Sequence, residues 1–174
     1  MTRAFVSLGS NLGDREAHLR HAVRALAATP GVRIVAGSRI YETDPVGPGP
    51  QGPYLNAVLE LETDLGPGAL LERLLAIEAE RGRVRGARDA ARTLDLDVLL
   101  HGDAVVREPG LELPHPRLAG RPFVLEPLAD LAPERVVPGT GARVAALAER
   151  VRDPEAVRPF RGALGEEEPW RSWQ

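Results

Sequence analysis

The chain has 174 residues, of which 43% are hydrophobic and 27% charged, with a net charge of −3; this composition gives one compact domain with a real core and excludes a disordered or collagenous polypeptide. Cysteine is absent and all 22 basic residues are arginines, which excludes disulfides, thiolate nucleophiles, cysteine-ligated zinc, lysine-dependent phosphate loops and Schiff-base chemistry. Any phosphate bound here must be neutralised by arginine or by a metal ion, and the negative balance argues against a general nucleic-acid partner.

Arg3 to Leu8 alternates, with Ala4, Val6 and Leu8 on one side and Phe5 and Ser7 on the other, which predicts a half-buried strand. Gly9-Ser10-Asn11-Leu12-Gly13 breaks it and reads as a tight turn. From Asp14 to Ala28, Leu19, Ala22, Val23 and Leu26 recur at helical spacing until Pro30-Gly31. Val32 to Tyr41 is rich in β-branched residues and predicts a second strand, followed by a long, stiff loop from Asp44 to Pro53. Tyr54 to Glu62 alternates strictly, with Leu55, Ala57, Leu59 and Leu61 facing one way. Pro67 opens a helix over Gly68 to Arg81. After an arginine-rich segment, Leu94, Leu96, Val98 and Leu100 point inward from a fourth strand and leave Asp95, Asp97 and Leu99 on its other face. His101-Gly102-Asp103 turns into a short strand at Ala104 to Arg107, and Pro122 to Ala132 and Arg143 to Arg152 read as two further helices.

The order strand, helix, strand, strand, helix, strand predicts an α+β protein with a ferredoxin-like βαββαβ core: an antiparallel sheet with its helices on one face, plus extra C-terminal helices and a short hairpin strand. Residues 1–152 form the expected domain and 153–174 a weakly specified tail. The open sheet face would carry Phe5, Ser7, Tyr54, Asn56, Asp95 and Asp97 together. No apolar run approaches the length that spans a bilayer, and Met1 to Ser10 lacks the order of a signal peptide, so a cytoplasmic protein without a membrane partner is expected.

Asp95 and Asp97, two apart on a strand, emerge on one face with Cα atoms about 6–7 Å apart. Such a pair can hold magnesium, which typically takes one or two carboxylates plus phosphate oxygens; alone, it reads as the solvated face of an edge strand. Arg83, Arg85, Arg88 and Arg92 lead directly into that strand. Guanidinium forks bind phosphate bidentately, so metal-binding aspartates and these arginines could surround a polyphosphate from two sides. Pro114 and Pro116 restrict the backbone of His115, and Phe123 with Tyr54 could offer ring faces to a flat heterocycle. His18 and His21 share a helix face without a carboxylate partner and are assigned no role.

Taken together, Gly9-Ser-Asn-Leu-Gly13, Tyr54-Leu-Asn56, Arg83-Val-Arg85, Arg92-Thr-Leu-Asp-Leu-Asp97 and Pro114-His115-Pro116 resemble the 6-hydroxymethyl-7,8-dihydropterin pyrophosphokinase family, in order from about Arg3 to Glu149. The resemblance implies transfer of pyrophosphate from ATP to the hydroxymethyl group of the reduced pterin, with release of AMP, in folate biosynthesis. It implies that Asp95 and Asp97 hold two Mg2+ ions and that Arg83 and Arg92 assist transfer. It further implies a pterin site of Thr43, Val46, Pro48, Tyr54, Asn56, Asp95 and Phe123. Glu78, Arg83, Arg85, Arg92, His115 and Arg121 would contact the nucleotide. The partners implied are small molecules, with no nucleic acid, and a monomer is expected. Two positions depart from the family's usual pattern: Asp89-Ala90-Ala91 where a tryptophan is common, and Leu75 where a glutamine is common. They predict a closure of that loop that is looser or differently anchored. Two other readings share parts of the pattern: a nucleotide-sugar enzyme, whose usual domain is larger, and a ferredoxin-like RNA-binding module, whose clustered strand aromatics are missing here.

Overall fold

A computed structural model describes residues 1–84, 86 and 90–160. Among them, eight strands and four α-helices follow the expected order: β1 (Thr2–Ser10), α1 (Arg15–Ala27), β2 (Val32–Gly37), β3 (Tyr41–Thr43), β4 (Tyr54–Thr63), α2 (Pro67–Glu80), β5 (Asp95–His101), β6 (Val106–Glu108), β7 (Leu111–Leu113), α3 (Pro122–Leu131), α4 (Val144–Val151) and β8 (Val157–Pro159). The main sheet runs β5-β1-β4-β3-β8, with β2 also pairing β4, and its ladders are antiparallel. This is the ferredoxin-like arrangement read from the sequence.

Local chemistry sets the element ends. The Asp14 side chain accepts the Ala17 N–H (3.1 Å) and caps α1, satisfying a donor that a helix start leaves open. Pro67 occupies the first turn of α2, where its fixed φ suits the helix and its missing N–H costs nothing. α1 and α2 bury Leu19, Leu26, Leu70, Leu74 and Ile77 against Ala4, Val6, Leu8, Leu55, Leu59, Leu61 and Leu96 of the sheet, in one continuous core.

Four features differ from the sequence reading. The single strand expected over Val32 to Tyr41 is two, because Ser38 to Ile40 leave the ladder and the Ser38 hydroxyl accepts the Val58 N–H (2.8 Å) in place of a strand carbonyl. The second sheet face is open over only part of its extent: Phe5, Val58 and Leu99 pack there with Leu125 and Leu128 of α3 and Leu147 of α4 in a second core. Phe5 is therefore not a site residue. Leu100 joins that second core too, because a register shift in the β1–β5 ladder, where Phe5 faces Leu100 and Val6 faces Val98, leaves Leu99 as an extra residue and resets the alternation. The short strand after His101 pairs with β7 in its own two-stranded sheet. Finally, the segment expected as a tail from residue 153 supplies β8, which pairs with β3 at the edge of the main sheet. Strand pairing of β8 outweighs its weak local pattern; residues 161–174 lie outside the described residues.

Candidate active site

Asp95 and Asp97 begin β5. Leu96 and Val98 enter the first core, so strand alternation sends the two carboxylates together onto the second face, beside Gly9 and Ser7 of β1 respectively. Arg83 Nη1 donates to Asp95 Oδ1 (2.8 Å) and Arg92 Nη1 lies 2.9 Å from Asp95 Oδ2. Arg83 also pairs with Glu78. Glu78 is only 5% exposed, and its Oε1 accepts the Leu96 N–H (2.8 Å). Burial pushes the Glu78 carboxyl up to about 7, against the opposing pull of the Leu96 N–H and Arg83. Burial, and then the neighbouring Asp95 charge, push Asp97 up to about 6. Two carboxylates on a shared surface, one held above its ordinary range by burial and then by the other's charge, make a place that a divalent cation would relieve.

Alongside the aspartates lies a cleft of about 620 Å³, lined by Thr43, Val46, Tyr54, Asn56, Arg92, Asp95, Arg121 and Phe123 among others. At its floor Asn56 Nδ2 donates to Thr43 Oγ1 (2.7 Å). Gly9 makes room for this pair: a Cβ there would stand 2.8 Å from Asn56 Oδ1. The Arg121 guanidinium sits 5.5 Å from the Phe123 ring centre, so polar and aromatic groups meet on one wall.

His115 follows a cis Leu113–Pro114 peptide, and its N–H donates to the Leu99 carbonyl (3.0 Å). Its Nδ1 accepts the Arg117 N–H (3.1 Å), which leaves the proton of the neutral ring on Nε2. Nε2 points toward Asp97 Oδ2 at 3.8 Å. Burial, with Arg121 and Arg117 nearby, holds His115 down to about 4.

One contributor had no assigned role in the sequence. Asn11 Oδ1 accepts the Arg92 N–H (2.8 Å), while Asn11 Nδ2 donates to Gln51 Oε1 (3.0 Å) and the Gly52 carbonyl (3.1 Å). Asn11 thus ties the 44–53 loop to the arginine that reaches Asp95. The turn expected from Gly9 starts later, since β1 runs on through Ser10, and the long-range partners of Asn11 were missing from that reading.

Residues 5–133 match the family model described as 7,8-dihydro-6-hydroxymethylpterin-pyrophosphokinase (HPPK). The chain belongs to this family. Among its relatives, proteins named 2-amino-4-hydroxy-6-hydroxymethyldihydropteridine pyrophosphokinase are 49% identical over 145 residues in Methylorubrum extorquens (83% of this chain, 92% of the relative) and 41% identical over 165 residues in Bacillus subtilis (95% and 94%). The fold matches an HPPK-DHPS chain of Plasmodium falciparum crystallised with pteroate, at a TM-score of 0.72 and 14% identity, over 91% of this chain and 46% of that one. The chain spans about half the length of that protein.

Within this pyrophosphokinase, the structure gathers Arg83, Arg92, Asp95 and Asp97 at one point and brings Thr43, Val46, Tyr54, Asn56, Arg121 and Phe123 to the adjoining cleft. Three expectations need correcting or fall elsewhere. Pro48 is not among the cleft-lining residues, and its carbonyl accepts Gln51 Nε2 (3.0 Å) within the loop. Glu78 is buried, and its carboxylate is engaged by Arg83 and the β5 backbone. Arg85 and Asp89 lie outside the described residues, whereas Leu75 is on the surface of α2 at 37% exposure. Asp153, Ala156 and Val157 line the cleft and were missed, since their sequence has neither charge clustering nor periodicity to mark them. No helix among the described residues is long and apolar enough to cross a membrane.

Proposed function

We propose that this pyrophosphokinase transfers the pyrophosphoryl group of ATP to the hydroxymethyl oxygen of 6-hydroxymethyl-7,8-dihydropterin, releasing AMP, as a monomeric cytoplasmic enzyme of folate biosynthesis. The observation that carries the reading is the meeting of Asp95, Asp97, Arg83 and Arg92 beside a cleft with an aromatic wall, in a chain whose relatives at 41–49% identity bear that enzyme's name.

In the reaction the hydroxymethyl oxygen forms a bond to the β-phosphorus of ATP, the bond from that phosphorus to the oxygen shared with the α-phosphate breaks, AMP leaves, and the hydroxyl proton passes to solvent. Two Mg2+ ions, held by Asp95 and Asp97, would supply charge neutralisation on the phosphates and orientation of the hydroxyl. Magnesium typically takes one or two carboxylates and completes its shell with phosphate and water, which is what two neighbouring aspartates offer. The chain's own groups do the remainder. Arg83 and Arg92 are already fixed at Asp95, so their donors are in place before charge develops on the transferring group. Glu78 holds Arg83 from below. Asn56 and Thr43 present a hydrogen-bonded polar pair to the heterocycle edge, and Tyr54 and Phe123 offer it flat apolar contact. His115 and Arg121 are suited to the nucleotide side. The 44–53 loop and the arginine segment would close over the reactants and keep out water, the competing nucleophile.

The test is an assay with ATP, Mg2+ and the hydroxymethyl dihydropterin, following nucleotide products. AMP in step with pterin pyrophosphate is the expected outcome, and release of ADP would overturn the reading. Gel filtration at assay concentrations checks the monomer.

A further inference from the structure

The family match ends at residue 133, yet part of the cleft wall comes from beyond it, where Asp153, Ala156 and Val157 line the cavity. The segment is firmly built. Asp153 Oδ1 accepts the N–H groups of Glu155 (3.2 Å) and Ala156 (3.0 Å), its carbonyl accepts the Val157 N–H (2.9 Å), and this turn delivers the chain into β8. There Val157 pairs with Thr43, the residue whose hydroxyl receives Asn56.

The same segment reaches the start of the 44–53 loop directly and its end through Arg15 of α1. At the start, the Asp44 N–H donates to the Ala156 carbonyl (3.0 Å) and Arg158 Nη2 donates to Asp44 Oδ1 (3.0 Å). At the end, Arg15 Nη1 donates to the Pro53 carbonyl (2.9 Å) while its guanidinium lies 5.8 Å from the ring centre of Phe160. The Phe160 N–H in turn donates to the Ile40 carbonyl (2.9 Å), which fixes the ring's position beside β3.

We infer that residues 153–160 are a positioning element for the heterocycle subsite: they anchor the start of the 44–53 loop directly and its end through Arg15, and present Ala156 as part of the wall, so they set affinity for the pterin and leave nucleotide affinity alone. The inference rests on the function proposed above. β3 is only three residues long, and a strand that short needs a neighbour on each side to hold its side chains in register. With β8 in place, Thr43 is fixed from one side by β4 and from the other by Val157.

The experiment measures pterin affinity in the presence of Mg2+ and a non-hydrolysable ATP analogue, and nucleotide affinity separately, for Ala156→Val, Ala156→Phe and Arg158→Ala. Filling the wall at Ala156 is expected to weaken pterin binding by about 10-fold or more with Phe and by less with Val. Releasing the exposed Asp44 pair is expected to weaken it by about 3-fold, with nucleotide affinity within about 2-fold throughout. Unchanged pterin affinity in Ala156→Phe overturns the inference, and so does an equal loss for both ligands, which would mark general damage. The valine variant keeps the test decisive should the phenylalanine variant not fold. A wild-type protein that binds no pterin would instead retire the functional reading, and that result is seen before any variant is made.

Discussion

The two faces of one sheet have been put to different uses. Under α1 and α2 the strands β1, β2, β4 and β5 contribute aliphatic side chains to one continuous core. The opposite face is divided: near Phe5, Val58 and Leu99 it is sealed by α3 and α4, and near Asp95, Asp97, Tyr54 and Asn56 it stays open as a polar cleft. The boundary falls on β5, where the extra residue Leu99 ends the aspartate row and begins the packed one. A single strand thus carries the two carboxylates at one end and core leucines at the other, which ties the carboxylates to a packed element. Such rigidity is what preorganised charge stabilisation requires.

This contrast can be broken from either side. Asp97→Ala should remove catalysis by about 10³-fold or more while the protein still folds, because in the proposed reaction the residue holds metal and it belongs to neither core; turnover and a thermal melt on one sample check both halves. Leu74→Ala, on the closed face at 0% exposure, should do the reverse, costing about 2–5 kcal/mol in denaturant unfolding while activity per folded molecule persists. Arg92→Ala should slow transfer by about 10²-fold with pterin affinity nearly unchanged, read from single-turnover rates beside equilibrium binding.

The smallest effects are those of pH, and they carry opposite signs within the open region. Glu78 is raised from 4.5 to about 7, so the fold retains its proton longer than the unfolded chain does. Its contribution to stability is complete below about pH 4.5 and is lost as pH rises through about 7. Asp97, raised from 3.8 to about 6, acts in the same direction over its own window. His115, lowered from 6.5 to about 4, does the opposite: its contribution is present above 6.5 and lost as pH falls toward 4. Unfolding free energies across about pH 4 to 8 should therefore show Glu78→Gln removing part of the decline toward neutrality, and His115→Asn removing part of the rise. A shared, unaltered profile would mean that neither group titrates as its surroundings dictate.

Much of this was legible in the sequence because it obeys a period. Alternation placed Leu94, Leu96 and Val98 inward and Asp95 and Asp97 outward, and helical spacing found the buried face of α1. The arginines before β5 stood out because the chain has no other phosphate-binding cation to offer. What escaped was non-local. A β-bulge depends on the partner strand, so nothing within Val98-Leu99-Leu100 could announce it. β8 is three residues of unremarkable composition, held by pairing with β3 and not by any preference of its own. Asn11 was visible as part of a turn, but its partners at Gln51, Gly52 and Arg92 are 40 or more positions away. Glu78 entered only through the family resemblance; its burial and its bonds to Arg83 and the Leu96 N–H are tertiary and leave no mark on the local sequence.

The placement of β8 also bears on the exposed edge of the main sheet. It forms one margin of the main sheet, is three residues long and ends in Pro159, so it offers few free amide groups for another strand to zip onto. At the far margin the Leu99 carbonyl of β5 is taken by the His115 N–H. The β8 end and the β5 end of the sheet are thus each bordered by a segment that also serves the cleft, so shortening either one is expected to expose strand edge as well as to lower activity.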